Sequence, residues 1–210
     1  MFELLQPERF MIFFDLKQSI YGFQGASPKV VEKFSKQGDI HNYYITENFR
    51  SSRAVFEQAK RRLENRTSFL ELAHPVRKEQ GIVEYVDYNL NTIYETIKNN
   101  DNYGDWFVLA KTNKEVDSIR EYLNRRGIPA ESFKQGNLNN DELSKKMKEN
   151  TVKVLTIHSS KGLESKNVIL MAFRIFNKED DRLMYVGMTR AKDSLIYVKC
   201  PNKKQVSSWE

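Results

Sequence analysis

Cysteine is nearly absent. Cys200 stands alone, so no disulfide can close within the chain, and a cysteine-rich zinc site is excluded. Histidine is scarce too, and His41, His74 and His158 show no metal-ligand spacing. No apolar run approaches the ~20 residues that a membrane span needs. Met1 to Phe10 lacks the pattern of a secretory leader, so a cytoplasmic location is the default expectation and no membrane partner is expected. None of the nine glycines is followed by lysine, so no phosphate-cradling G-x-x-x-x-G-K loop is encoded here. The one Asp-Glu pair, Asp141-Glu142, lies in a polar stretch and not at the end of an apolar strand. No repeat or low-complexity tract appears.

What is present describes a folded α/β protein. The 210 residues suffice for one medium domain and a short appendage. Hydrophobic residues make up 40% and charged residues 30%, which excludes a disordered chain. The net charge of +6 suits a polyanionic partner but does not require one. Strand-like apolar runs alternate with helical periodicities, the pattern of a largely parallel sheet flanked by helices. Strands are expected at Phe10–Phe14, Ile82–Val86, Asp105–Lys111, Val152–Ile157, Val168–Phe173 and Leu195–Lys199. A helix is expected over Ser51–Arg66, with Ser51 or Ser52 as its cap. A second follows Thr112, whose capping box with Glu115 precedes the stripe Val116, Ile119, Leu123 and the terminator Gly127. A third is expected over Asp180–Ala191, and Lys134–Asn150 has room for one exposed helix.

Four segments carry chemistry-bearing residues, each with an ordinary structural alternative. Asp15–Ala26 follows the first expected strand. Gln18 can donate to or accept from a phosphate, Tyr21 and Phe23 offer faces for base stacking, and the same aromatics would equally finish a core. In Glu47–Ser52, Arg50 precedes a helix and could fork onto a phosphate or simply pair at the surface. Thr156–Glu164 runs from a strand into a Ser/Lys/Gly loop containing His158 and Lys161, suited to phosphate contacts or to plain connection. In Leu183–Lys192, Leu183, Val186, Gly187 and Ala191 share a helical face. Arg190 lies near that helix's end, where it could simply complement the dipole.

Taken in order, these segments resemble motifs III, IV, V and VI of the UvrD/Rep/PcrA family of superfamily 1 DNA helicases. The likeness runs from about Phe10 to Val198, with "QSIYGFQGA", "NFRS", "TIHSSKGLE" and "RLMYVGMTRA" as its landmarks. It implies a RecA-like, P-loop NTPase-type second helicase domain over residues 28–210, without a large inserted subdomain. Residues 1–27 would be the end of the first RecA-like domain. The resemblance also implies roles. Gln18 would sense the γ-phosphate, and Arg50 and Arg190 would be arginine fingers. Phe49, in place of the usual Tyr, would stack on adenine, while Glu164 faces the ribose and Gly162 allows close approach. Tyr21, Phe23, His158 and Lys161 would touch single-stranded DNA.

The implied ligand is ATP, with Mg²⁺ expected only alongside a Walker-bearing first domain supplied in cis or in trans. Three further positions depart from the family: Phe14 stands for Gly, Gln24 for Arg and Ser165 for Phe. The expected function is therefore the C-terminal motor domain of an ATP-dependent DNA helicase or translocase, a hydrolase part that is inactive alone. The alternative is a helicase-derived module that binds DNA or protein without catalysis.

Overall fold

The computed structural model describes residues 11–21, 33, 36, 40–66, 72–134 and 137–199. Eight strands and five helices follow one another here: β1 (Glu47–Asn48), α1 (Arg53–Arg66), β2 (His74–Pro75), β3 (Ile82–Val86), α2 (Leu90–Ile97), β4 (Trp106–Ala110), α3 (Asn113–Arg125), β5 (Ala130–Glu131), α4 (Asn140–Lys148), β6 (Val152–Thr156), β7 (Ser165–Met171), α5 (Lys178–Met188) and β8 (Ala191–Val198). Two short 3-10 turns, Leu16–Gln18 and Tyr103–Asp105, also lie among the described residues. Six strands form one wholly parallel sheet in the order β3-β8-β7-β4-β6-β5, and β1 pairs with β2 in a separate parallel ribbon.

Parallel strands buried on both faces read as continuous apolar runs, and β4 is buried at every position. The two-residue period divides those side chains between two cores. Phe107, Leu109, Leu155, Val168, Leu170 and Leu195 face α1 and α5. Trp106, Val108, Val152, Val154, Ile169 and Ile196 face α2 and α3. Gly187 lets α5 lie close on the first face, since a β-carbon there would stand 2.7 Å from Leu170 Cδ1.

Several expectations hold closely. β3 and the capping box of α3 stand as read, with Thr112 Oγ1 accepting from Glu115 N and Glu115 returning to Thr112 N. Others need correction. No strand forms over Met11–Phe14, and Met11, Phe13 and Phe14 are exposed; a strand needs a ladder neighbour, and neither edge strand, β3 nor β5, pairs with this stretch. Phe10 lies outside the described residues. Neither Ser51 nor Ser52 caps α1 with its side chain. The first amides of α1 instead donate to the Glu79 and Gln80 carbonyls, while both serine hydroxyls donate to β8, at Ala191 O (3.0 Å) and Asp193 O (3.2 Å). The third expected helix starts at Lys178 and stops at Met188, three residues before Ala191, which opens β8.

Candidate functional site, a cationic cluster on one sheet edge

β6 and β7 run parallel, yet only eight residues join them. This connection, 157–164, therefore crosses from the C-terminal edge of the sheet to its N-terminal edge without a helix. Its own groups fix it: Ser159 N donates to Thr156 Oγ1, and the buried Ser160 hydroxyl donates to Ile157 O (2.8 Å). The two serines are thus engaged within the loop. Gly162 has φ +87°, a left-handed conformation that costs glycine little, and it turns Leu163 into the core and Glu164 outward.

At the N-terminal edge, β7 and β8 begin side by side, with Ser165 and Ala191 in register and Ser165 N donating to Arg190 O. Glu164 and Arg190, each one residue before its strand, are thereby brought together. The cluster therefore lies at the edge opposite the strands' C-terminal edge, where open α/β sheets place ligands, because its residues precede β7 and β8.

Arg190 is 1% exposed. Its Nε donates to Val186 O at the end of α5 (2.9 Å), its Nη1 to Leu163 O (3.1 Å), and its Nη2 to Thr189 Oγ1 (3.1 Å) and Gln18 Oε1 (3.4 Å). Burial, reinforced by the nearby Arg50 charge, pulls the guanidinium down to about 10, so it remains a cation at neutral pH. Arg50 is more open. Its Nε meets Glu164 Oε2 at 2.7 Å, and Lys192 Nζ takes the other oxygen of the same carboxylate at 2.5 Å. Burial opposes the Glu164 charge most strongly, yet Lys192 and then Arg50 outweigh it and hold the carboxyl below its ordinary range. Phe49, beside Arg50, is 65% exposed.

The segment around Gln18 reaches this cluster by docking on the α5 face. Ile20 is fully buried in the same core as Val55, Leu163 and Met184. Arg182 Nε donates to Ser19 O (2.7 Å), and Lys161 Nζ donates to Gln18 O (3.0 Å). Asp15 caps the 3-10 turn and accepts from Gln18 Nε2 (2.9 Å), which orients the amide with its oxygen toward Arg190. Tyr21 donates to His158 O (3.4 Å), tilts against the His158 ring, and carries Lys161 Nζ 4.9 Å above its face. Burial lowers the pKa of both His158 and Lys161. Phe23 lies outside the described residues.

Gln18, Arg50, Glu164 and Arg190 thus meet in one cluster, and Tyr21, His158 and Lys161 form a second group along the same loop. Lys192, Arg182, Asp15 and Arg77 went unassigned in the sequence. Asp15, Arg182 and Lys192 lie in or beside the segments already singled out, and Arg77 lies in none of them. Asp15 acts locally on the turn that follows it, whereas Arg182 and Arg77 act through tertiary contacts that no spacing reveals. Ser165, a departure from the family pattern, has a structural task here: its hydroxyl donates to Asp105 O (2.6 Å) and ties β7 to the turn before β4.

Residues 130–202 match the family described as UvrD-like helicase C-terminal domain. Two relatives are the ATP-dependent DNA helicase Rep of Buchnera aphidicola subsp. Schizaphis graminum, 38% identical over 68 residues, and a probable DNA helicase II homolog of Mycoplasma capricolum, 31% identical over 139 residues. These stretches cover 27% and 59% of this chain but only 10% and 17% of the two relatives. The crystal structure of the C-terminal domain of a possible DNA helicase from Lactobacillus plantarum WCFS1 shares the fold with a TM-score of 0.51 at 19% identity, covering 73% of this chain and 88% of that one. Over residues 130–202 the chain is thus similar to the UvrD-like helicase C-terminal domain, it spans only a small part of the two helicases it matches, and its fold is shared with the Lactobacillus plantarum structure.

Proposed function

We propose that this chain supplies the second half of an ATP site in a DNA helicase or translocase, together with part of a single-stranded DNA track. One observation carries the reading: a buried, pre-oriented guanidinium, Arg190, and an exposed one, Arg50, converge with Gln18 and Glu164 on a single edge of the sheet. Phosphoryl transfer asks little covalent chemistry of a protein and much charge placement. A cationic cluster fits a triphosphate. It does not fit Mg²⁺, and no group of three His, Cys, Asp or Glu side chains among the described residues could hold a metal. The metal and the phosphate loop would therefore come from a first RecA-like domain, in cis or in trans.

Arg50 would leave Glu164 for the γ-phosphate when the two domains close, and Lys192 would keep the Glu164 charge paired. Arg190, locked by three of its donors, would present Nη2 through or beside Gln18. Phe49 would lie against the adenine, and Glu164 near the ribose above Gly162. Tyr21, His158 and Lys161 would line the DNA path, where an aromatic ring beneath a cation suits a base followed by its phosphate. The basic net charge agrees with that partner.

The burial of Arg190 among backbone carbonyls favours a second reading, in which it is a structural cation and the chain a binding module. Combining the chain with a Walker-bearing first domain of a UvrD/Rep-type helicase separates the two. Single-strand-stimulated phosphate release near 1 s⁻¹ or above, in the usual enzyme range, is expected only when both parts are present. Release that is the same with and without this chain would favour the binding module.

A further inference from the structure

Arg77 belongs to none of the four motifs, yet it touches two of them. It follows β2 in the loop leading to β3. Its Nη1 donates to Arg50 O (2.9 Å) and to Lys192 O (3.3 Å), its Nη2 meets Asp193 Oδ1 at 2.8 Å, and its Nε meets Glu79 Oε2 at 3.4 Å. One planar fork thus joins the backbone that carries Arg50 to the start of β8, the strand that opens immediately after Arg190. Ser51 and Ser52 stitch the same seam, with Ser52 N donating to Lys192 O at 2.6 Å. The loop lies this close because of Gly81. It has φ +70°, and a β-carbon there would fall 1.9 Å from Ser52 Oγ and 2.6 Å from Asp193 O.

We propose that Arg77 is a positioning residue that fixes Arg50 relative to Arg190, so that both guanidiniums address one charge. The proposal rests on the finger reading above for its catalytic meaning, but not for its geometry. A lysine could not do the same work, because one ammonium cannot hold two carbonyls from one nitrogen and a carboxylate from another, as the fork does. Arg190 has its own anchors at Val186, Leu163 and Thr189, so losing Arg77 should free Arg50 alone.

Two measurements test this. In side-chain ¹⁵N–¹H spectra of the whole 210-residue chain, Arg77→Gln should shift the Arg50 Nε signal, because the backbone that carries its pair with Glu164 is released, and leave the Arg190 signal in place. An unmoved Arg50 signal overturns the proposal, and equal movement of both signals does so too, since that would mark general loosening. If Arg77→Gln does not fold, Asp193→Asn removes one grip only and should shift Arg50 in the same direction by less; no shift overturns the proposal. Glu79→Gln, which loses only the long contact, should change nothing, and an effect as large as that of Arg77→Gln would overturn it. In the chain combined with a Walker-bearing first domain, Arg77→Gln should lower kcat on the order of 10²-fold with KM unchanged, the cost of a misplaced reacting group. If Arg50→Ala lowers kcat and Arg77→Gln does not, the positioning role fails while the finger reading stands. If Arg50→Ala leaves kcat intact, the finger reading fails and the spectra alone decide Arg77.

Discussion

Arg50 and Arg190 present the same functional group in opposite settings, and their variants should behave differently. Arg50 makes one half-exposed ion pair, of a kind worth about 0–1 kcal/mol, so Arg50→Ala should leave thermal stability nearly unchanged. Arg190 fills a buried space and satisfies the carbonyls of Val186 and Leu163, so Arg190→Ala should lower stability by about 2–5 kcal/mol, which thermal or urea unfolding would record. Acid sensitivity should come from another site. At the β5 edge Glu131 accepts from Lys146 (2.6 Å), from Thr151 and from the fully buried Lys153 (3.0 Å). Burial resists its charge, but these partners win and hold the carboxyl at about 2, against an ordinary 4.5. The folded state therefore binds this proton less readily than the unfolded one. Its stabilisation is complete above pH ~4.5 and is lost as pH falls toward ~2. Glu131→Gln should flatten the stability–pH curve within that window, and an unchanged slope would place the acid sensitivity elsewhere.

Elements with strong local signals were legible in the sequence, and those held by distant partners were not. The α3 capping box and stripe are local chemistry, and Thr112→Ala should cost ~1 kcal/mol in equilibrium unfolding. The buried runs of β4 and β6 likewise announce themselves. Helix α2 was missed although its signal is present: Asn89 caps it, and Ile93 and Ile97 sit four apart in the core. The two-residue strands β1, β2 and β5 are too short to show any period. Met11–Phe14 looked like a strand because apolar content is a property of residues, whereas strand formation is a property of pairs. The start of α1 was misread for a related reason. The serines that would cap it are drawn to β8, and the loop around Gly81 supplies the capping carbonyls instead. Gly81→Ala should accordingly destabilise the chain by about 2–4 kcal/mol, from strain at positive φ and overpacking against Ser52 and Asp193. A change below ~0.5 kcal/mol in urea unfolding would show that the loop gives way easily.

On the scale of the molecule, one face of the sheet gathers everything the site uses. Arg50 precedes α1, Arg190 follows α5, the β6–β7 connection crosses it, and the Gln18 segment is pinned to it by Ile20. The opposite face, with α2 and α3, forms the second core. The four motif residues were legible as types in order, but their convergence came from topology: β7 and β8 start side by side, which brings Glu164 and Arg190 together. As proposed above, this edge would complete an ATP site from outside. That role is tested most directly by kcat for single-strand-stimulated ATP hydrolysis in the chain combined with a Walker-bearing first domain, with Arg50 intact and with Arg50→Ala. The expected loss is about 10³–10⁵, the usual worth of an arginine finger, with Arg50→Lys failing nearly as badly. Retention of more than roughly a tenth of kcat, less than ~1.4 kcal/mol lost, would contradict it.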